Sequence, residues 1–378
     1  MRILHVLTWV GPGNPFGGPS TVATNQAEAL RHRGHDVVVI AAQPSGRRRG
    51  AWTADRLGVR AFDAFRILPA GFSGVVSPRM IWWAARNLRR FDVVHVHLAR
   101  DLVTLPIAAL ALMRRVPYVL QPHGMVDRSP KRSARVLDWM STRRVLRSAR
   151  RVLVLTSDEM AEVLAVGGTS DMSMTLLPNG VPSLLVGNAK IQQPTEVLFC
   201  SRLHSRKRPV LFADMAMSLL DAGSQASFVL VGPDEGDGDA VSERITRVGD
   251  ASLLRWEGGI EPYEVLQRLS RCDLLVLPSA LEPFPMVVLE ALALGKAVVV
   301  TEQCGLAPFI REHRCGMVIA VDELAALAKA VRYLIEHPDE RRAMGESGRA
   351  AVECHLSISS VAEALEGHYR EAVSPSFS

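Results

Sequence analysis

The chain has 378 residues, which is enough for two domains of ordinary size, each with its own core. Its 48% hydrophobic and 22% charged residues are typical of a soluble globular protein. No run reaches the roughly 20 apolar residues of a membrane span, and no N-terminal signal is visible. Five scattered cysteines exclude a disulfide framework and a cysteine metal site, so we expect a cytoplasmic protein.

The net charge of +5 is distributed unequally along the chain. Residues 1–190 carry +14, whereas residues 191–378 carry −9. This asymmetry predicts two domains with different partners. We do not expect nucleic acid to bind the basic half, because no helix-turn-helix, RNA-binding signature or zinc finger accompanies the charge.

The first elements are typical of a nucleotide-binding α/β domain. The pattern predicts a strand at 2–8, a glycine- and proline-rich loop at 11–20, a helix at 21–33 and a strand at 37–41. The pair Gly17-Gly18 would let the backbone approach a bulky anion closely. A flexible surface loop is the alternative, and the absence of GxGxxG argues against NAD.

Histidines follow at two predicted strands. Residues 43–61 are predicted to be an exposed segment, and the strand at 92–98 places His95 and His97 on one face. Two histidines at this spacing could bind a metal, but we expect them to line a cleft at the end of the strand. The strand at 117–121 leads to His123-Gly124, and ligands of α/β proteins bind at the carboxyl ends of parallel strands.

Residues 127–151 hold nine lysines and arginines against two aspartates. Val136, Leu137, Met140 and Leu146 give the predicted helices an apolar face. A solvated helix face is one interpretation. The density of positive charge favours an anionic surface instead, such as lipid headgroups or a phosphorylated acceptor.

The second half begins after a predicted linker at 182–194, with a strand at 197–200. The cations of SRLHSRKR, residues 201–208, lie between this strand and a helix, where they suit an anion. The pair Asp237-x-Asp239 lacks further metal ligands, so we interpret it as a solvated turn and expect no metal cofactor. Alternating strands and helices in both halves predict two doubly wound parallel sheets facing a cleft.

Residues 274–294, LLVLPSALEPFPMVVLEALAL, combine a buried strand, a proline-rich loop and an apolar helix. Pro285 suits the first helical position, because its missing N–H would be unpaired there. Glu290 is the only charge in this helix, and an unpaired buried carboxylate is costly. The free N–H groups between Glu282 and Glu290 offer a seat for phosphate. A buried helix whose glutamate pairs with a core arginine is the alternative.

The segment from Glu282 to Glu290, EPFPMVVLE, resembles the two-glutamate motif of the retaining GT-B glycosyltransferases of the group-one family, family four. The resemblance extends over nearly the whole chain. It implies the GT-B fold of two Rossmann-like domains, with an acceptor-binding domain at 1–185 and a nucleotide-sugar domain at 195–355. A C-terminal helix within 356–378 would cross back to the first domain.

The resemblance also implies roles for the candidate residues. Glu290 would bind the donor ribose, while Glu282 and His123 would lie at the transferred sugar. Arg202 and Lys207 would bind the donor diphosphate. The catalytic set implied in this way is His123, Glu282, Arg202 and Lys207.

Backbone groups complete the implied donor site. Gly17 and Gly18 would lie under the diphosphate, and the backbone at Ile260 would contact the base. This chain has Pro283 and Pro285 where many members have glycine. The N–H contacts would therefore fall to Phe284, Met286 and Val287.

We therefore predict a metal-independent hexosyltransferase that retains anomeric configuration, using a nucleoside-diphosphate sugar. A glycan or polyprenyl-linked acceptor, in bacterial surface or exopolysaccharide biosynthesis, would suit an enzyme held peripherally on the inner membrane face. The alternatives are a soluble natural-product acceptor, a nucleotide-sugar epimerase on the same fold, and a non-catalytic sugar-nucleotide-binding protein. Hydrolysis is rejected, because one carboxylate is better used on ribose.

Overall fold

The computed structural model describes residues 1–11, 17–45, 58–67, 74–129, 132–182 and 194–374. The chain forms two compact units. Unit 1 comprises Met1–Gly180 with Ile358–Ser378, and unit 2 comprises Val181–Ser357. Each contains a mostly parallel sheet with helices, which confirms the predicted fold class of two Rossmann-like domains. The predicted domain boundary at 185 lies outside the described residues.

Among its described residues, unit 1 contains an eight-stranded sheet in the order β4-β3-β2-β1-β5-β6-β7-β8, in which only β3 and β4 pair antiparallel. Its strands are β1 Arg2–Trp9, β2 Asp36–Pro44, β3 Val59–Arg66, β4 Val75–Val76, β5 Val93–Val96, β6 Tyr118–Leu120, β7 Arg151–Val154 and β8 Met174–Leu176. Its helices are α1 Gly17–His32, α2 Pro78–Asn87, α3 Thr104–Met113, α4 Arg132–Leu137, α5 Arg143–Arg147 and α6 Ser157–Gly167. Unit 1 also contains a 3-10 turn at Leu88–Arg90 and a π-helical turn at Asp138–Thr142. The last helix of the chain belongs to this unit as well.

The two faces of this sheet bury separate cores, because side chains alternate along each strand. Leu4 and Val6 of β1 pack on one face with α2, α3, α5 and α6. Ile3 and Leu7 pack on the other face with α1 and the last helix. The final helix of the chain thus completes the core of the first unit.

Unit 2 contains a six-stranded parallel sheet in the order β11-β10-β9-β12-β13-β14. Its strands are β9 Glu196–Cys200, β10 Ser227–Val231, β11 Leu254–Trp256, β12 Leu274–Leu277, β13 Ala297–Thr301 and β14 Gly316–Ile319. Its helices are α7 Pro209–Asp221, α8 Gly238–Val248, α9 Val265–Arg271, α10 Met286–Ala293, α11 Ala307–Glu312, α12 Leu324–Glu336 and α13 Pro338–His355; α14, Ile358–Val373, belongs to unit 1. Strands such as β12 are buried on both faces, which explains their continuous apolar runs.

Several predicted segments are corrected. Residues 43–61 are not one exposed segment, because β2 continues to Pro44 and β3 begins at Val59; residues 46–57 lie outside the described residues. Part of the loop predicted at 11–20 is helical, since α1 begins at Gly17. Pro19 is tolerated there because the first-turn N–H groups have no helical acceptor. Among the described residues, no helix is long and apolar enough to cross a membrane.

Candidate active site

The strand order of unit 2 reverses between β9 and β12, which are neighbours at the centre of the sheet. In open α/β sheets, ligands bind outside the carboxyl ends of the strands at such a reversal. The segment after β9 carries Arg202 and Lys207, and the segment after β12 carries Glu282. The chain therefore brings three predicted site residues to the edge where this fold binds ligands.

Lys207 and Glu282 form an ion pair between these two segments. Both side chains are mostly buried, so the pair is little screened by water. The neighbouring arginines are engaged elsewhere: Arg206 donates to the carbonyl oxygen of Leu281, and Arg208 pairs with Asp322. Of the three cations at 206–208, Lys207 alone meets a carboxylate of the two-glutamate segment.

Arg202 lies one residue beyond Ser201 and is paired with Glu235, Nη1 to Oε2 2.6 Å. The segment after β9, which carries Arg202, packs closely against the segment after β10, which begins with Gly232. Gly232 has a φ of 149°, and a Cβ at this position would overlap the carbonyl oxygen of Ser201. A glycine at 232 is therefore required for the local geometry that presents Arg202.

The segment that carries Glu282 is fixed by backbone contacts to the segment after β13. The Glu282 N–H donates to Gln303 O (3.1 Å), and its carbonyl accepts from Gly305 N–H (2.8 Å). Leu281 has a φ of 51°, a conformation that is costly for a branched side chain. Such strain persists only where the surroundings impose it, and it is common at ligand sites.

Helix α10 begins at Met286, and Pro285 is the N-cap residue rather than the first helical residue. The N–H groups of Met286 and Val287 have no acceptor within the helix, because they belong to its first turn. Both side chains and that of Phe284 are half-buried against the core. The N–H groups predicted to contact a donor are thus free of helical bonds.

Glu290 lies in the second turn of α10. Within the described part of the chain its carboxylate has no ion pair or hydrogen bond, so the alternative of a core arginine partner is wrong. Burial raises the pKa of Glu290 to about 7. A carboxylate buried without a partner is costly, and one placed near a ligand edge is a candidate for a functional role.

Ile260 follows β11 and is half-buried against the core of unit 2. The segments around it are joined by backbone contacts, since Gly232 N–H donates to Gly258 O (2.8 Å). The indole N–H of Trp256 donates to Gly232 O (2.9 Å). Ile260 therefore lies at the same edge of the sheet as the segment that begins at Gly232. That segment includes Glu235, the carboxylate partner of Arg202.

In unit 1, His123 follows β6 in a turn of two residues with positive φ, 54° at His123 and 72° at Gly124. The buried Glu159 carboxylate accepts the Gly124 N–H and the Leu155 N–H. Burial lowers the pKa of His123 to about 3, so the imidazole is neutral. The turn holds His123 in a strained, fixed position at the carboxyl end of its strand.

The expectation that His95 and His97 line a cleft is wrong for His95, which is fully buried, whereas the nearly buried His97 lines a small cavity of about 10 Å³ together with Thr8 and Met125. Both histidines lie with His5 of β1 on one sheet face, covered by Tyr369 of α14. The alternation of β1 places His5 on this face, but the return of α14 could not be derived from the residues alone. The ligating nitrogens of His5, His95 and His97 lie within 4.8 Å of one another. Metal independence therefore stays a prediction.

Gly17 and Gly18 lie in the first turn of α1, and a Cβ at Gly18 would meet no atom within 4 Å. The residues before them, 12–16, lie outside the described ranges. Open space beside a helix N-terminus is compatible with a bound anion.

The basic segment at 127–151 differs from the expected amphipathic helices. Val136, Trp139 and Met140 are exposed by 55%, 76% and 66%, so these apolar side chains face outward. Arg143 and Arg147 donate to the carbonyls of Val166 and Gly167, at the end of α6. We define the outward patch as Arg135, Val136, Trp139, Met140 and Arg144. A cavity of about 520 Å³ adjoins it.

The chain matches two family models that together cover most of its length. The model for glycosyl transferases group 1 matches residues 186–351, and the model for a glycosyl transferase 4-like domain matches residues 17–180. A glycogen synthase from Mycobacterium tuberculosis is 27% identical over 98% of this chain and 95% of its own. A D-inositol 3-phosphate glycosyltransferase from Streptomyces scabiei is 25% identical over 76% of this chain and 69% of its own.

Solved structures share the fold at lower identity. Anabaena HepE, in a complex with UDP-glucose, has a TM-score of 0.73 and 20% identity, covering 97% of this chain and 98% of its own. Sucrose-phosphate synthase from Thermosynechococcus elongatus has a TM-score of 0.74 and 18% identity, covering 98% of each chain. These similarities confirm the GT-B fold.

Proposed function

Because this chain belongs to the group 1 family of glycosyltransferases, we propose that it is a retaining hexosyltransferase that uses a nucleoside-diphosphate sugar. The observation that carries the proposal is the half-buried carboxylate of Glu290, which has no partner among the described residues and lies beyond the free N–H groups of α10. The 2′ and 3′ hydroxyls of a ribose are two donors that would satisfy this carboxylate together. The UDP-glucose bound by Anabaena HepE supports a ligand of this class.

The diphosphate of the donor would lie beside the first turn of α10. The N–H groups of Met286 and Val287 and the positive end of the helix dipole favour an anion there. Arg202 and Lys207 supply the positive charge at the reversal point of the sheet. In the free protein each is paired with a carboxylate, so the donor would exchange a carboxylate partner for a phosphate partner.

Bond cleavage would depend on the charge that develops on the departing diphosphate. Fixed cations and N–H dipoles stabilise such charge without reorganisation. Glu282 would be released from Lys207 as the diphosphate binds, and its carboxylate would then face the sugar. In the proposed retaining reaction the leaving phosphate accepts the proton of the acceptor hydroxyl, so no separate base is required.

We place the acceptor on the side of unit 1. His123, held neutral in a strained turn, would contact the transferred sugar. The outward patch combines two exposed arginines with Trp139, an aromatic residue typical of membrane interfaces. A lipid-linked acceptor such as a polyprenyl diphosphate sugar suits this patch, which supports a role in surface polysaccharide assembly.

A soluble acceptor is the second candidate. The alpha-D-kanosaminyltransferase of Streptomyces kanamyceticus is 26% identical, although over only 46% of this chain. With a soluble acceptor, the outward patch would have no membrane role. The two candidates differ in whether the purified protein binds lipid vesicles.

The first experiment is a panel of UDP-, GDP- and dTDP-sugars, each incubated with and without membrane extract. We expect nucleoside diphosphate to be released from one donor, and only when extract is present. The anomeric configuration of the product, read by NMR, tests retention. A changed sugar nucleotide without extract would indicate an epimerase. The Glu290→Gln variant is the control and should lose donor binding.

The second experiment is co-sedimentation with anionic and neutral vesicles at low and high salt. Each cation near an anionic leaflet contributes about 1 kcal/mol, and salt screens this attraction. We expect anionic vesicles to bind the protein at low salt, and Trp139→Ser with Arg144→Ser to weaken binding. The matched control is Trp82→Ser with Arg86→Ser, an exposed stacked pair on α2. Equal loss in both variants, or no binding at all, would contradict a role of the patch.

A further inference from the structure

We propose that a buried chain of four histidines and one tyrosine fixes the tautomer of His123, so that His123 presents a bare Nδ1 to its ligand. Tyr369, His5 and His97 are positioning residues in this arrangement, because they act through His123. The inference rests on the proposed function in one respect, which is that the ligand of His123 is the transferred sugar. The arrangement of the chain itself belongs wholly to unit 1.

The hydrogen bonds link the five side chains in one line. His123 Nε2 lies 2.7 Å from His97 Nδ1, and His97 Nε2 lies 3.1 Å from His5 Nδ1. His5 Nε2 lies 3.2 Å from the Tyr369 hydroxyl, which lies 2.6 Å from His95 Nδ1. Each inner histidine therefore uses both ring nitrogens within the chain.

The part of the line that joins His123, His97 and His5 has only two self-consistent proton arrangements. Burial lowers the pKa of each of these histidines far below 6.5, so all four rings are neutral. A neutral imidazole has one donor nitrogen and one acceptor nitrogen. A single change of direction would leave two protons, or two lone pairs, facing each other. His5, His97 and His123 must therefore all carry the proton on Nε2 or all on Nδ1, whereas His95 is linked to them only through the Tyr369 hydroxyl, whose oxygen can accept from both sides.

The distances at Tyr369 select one of these arrangements. An O–H donor makes shorter bonds than an N–H donor, typically by ~0.2 Å. The 2.6 Å contact is therefore the Tyr369 hydroxyl donating to His95 Nδ1, and the 3.2 Å contact is His5 Nε2–H donating to the hydroxyl oxygen. This direction places the proton on Nε2 in all four rings. In this arrangement the Nε2–H of His95 is buried and has no hydrogen-bond partner among the described residues.

The consequence is at the far end of the line. His123 gives its Nε2–H to His97, so its Nδ1 is an acceptor for a ligand. Such a nitrogen accepts a hydrogen bond from a sugar hydroxyl and cannot donate one. The arrangement therefore favours a ligand with a hydroxyl at this position over an isostere that has only an acceptor there.

A metal ion is the competing use of the same rings. In the structure, both nitrogens of His5 and of His97 already have hydrogen-bond partners. An ion would need to replace these bonds and would leave the Tyr369 hydroxyl without one of its partners. The proton chain accounts for more of the observed contacts, so we favour it.

The test is a nitrogen-15 NMR spectrum of the ligand-free protein with labelled histidine, because a protonated ring nitrogen resonates far from a bare one. We expect the Nε2–H tautomer in His5, His95, His97 and His123. Assignment uses single histidine substitutions. In Tyr369→Phe, His5 Nε2–H loses its acceptor, so the protons of His5, His97 and His123 should all move to Nδ1. A buried donor without a partner is costly enough to shift the tautomer ratio by roughly tenfold or more.

Tyr118→Phe is the matched control. Its hydroxyl is also buried in unit 1, but it donates to Val145 O (2.7 Å) and not to a histidine. It should cost similar stability and leave every tautomer unchanged. If the donor panel identifies a donor, Tyr369→Phe should lower kcat/KM by roughly tenfold relative to Tyr118→Phe.

Three results would overturn the inference. They are a mixture of tautomers in the unaltered protein, a Tyr369→Phe spectrum in which His123 keeps its Nε2 proton, and one equivalent of bound zinc or another transition metal. None of these depends on turnover, so failure of the proposed function would be seen separately. If only the proposed function failed, the histidines would show the expected tautomers but the protein would consume no sugar donor.

Discussion

Replacing Glu290 by glutamine should stabilise unit 2 at neutral and alkaline pH while it weakens binding of a nucleoside diphosphate. Burial raises the pKa of this carboxyl from 4.5 to about 7. In the unfolded chain the carboxyl loses its proton near its ordinary pKa, whereas in the folded protein it keeps the proton to about pH 7. Stability from this group is therefore complete below about pH 4.5 and is lost as pH rises to about 7.

The size of the effect follows from the pKa difference. About 2.5 units between folded and unfolded states correspond to about 3 kcal/mol, at 1.36 kcal/mol for each unit. This is an upper value, because part of the carboxylate remains accessible to water. Glutamine has a similar shape and carries no charge, so Glu290→Gln should recover most of this free energy at about pH 8 and almost none at about pH 4.5.

The measurement is urea unfolding of both proteins across this pH range, with fluorine-labelled tryptophan as the probe. Trp256 is the only tryptophan between residues 181 and 357, so its resonance reports on unit 2 alone. Calorimetry with UDP, GDP and dTDP should show weaker binding to the variant. In the unaltered protein, binding near pH 7 should release a proton, because ribose hydroxyls favour the charged carboxylate.

The control is Glu282→Gln, which should change stability in the opposite direction. It removes the partner of Lys207 and leaves a mostly buried ammonium group unpaired. If Glu290→Gln destabilised unit 2 at about pH 8, or if its effect did not vary with pH, the carboxylate would not be the strained, unpartnered group described above.

Further predictions concern the remaining features of unit 2. Lys207→Ala should lower kcat at least tenfold in the donor assay, since a charge-assisted contact to the leaving group is lost, and normal turnover would remove Lys207 from the site. Gly232→Ala should cost more than about 2 kcal/mol in urea unfolding, because its Cβ overlaps Ser201, whereas Gly223→Ala, at a φ of 89° in open space, should cost only about 1 kcal/mol. Equal costs would refute the close approach. A chelator should leave the turnover rate unchanged, and recovery of a lost activity by magnesium would contradict metal independence.

The sequence was sufficient to predict the fold class and the loop between Glu282 and Glu290. Buried parallel strands have continuous apolar runs, and a lone charge in an apolar helix is conspicuous. The sequence did not predict the elements that depend on contacts between residues far apart in the chain. Strand β3, Val59–Arg66, pairs with β2 beyond a long intervening segment, and only this pairing makes its mixed composition a strand.

The same reasoning applies to the candidate site. The ion pair of Lys207 with Glu282 joins residues 75 positions apart, and no local pattern indicates it. The burial of His95 and His97 depends on α14, whose Tyr369 lies 274 positions after His95. Periodicity gives the face of a strand on which a residue lies, but it does not identify the element that covers that face.

The return of α14 to unit 1 has a consequence for how the protein folds during synthesis. Domains generally fold as units while the chain emerges from the ribosome. Here the core face that receives Leu365 and Tyr369 stays open until all of unit 2 has been made. Unit 2 is contiguous and can complete its core first, although it is translated second. We therefore expect residues 1–180 to need protection from aggregation on the ribosome, and chaperone dependence to end only when the final helix is released.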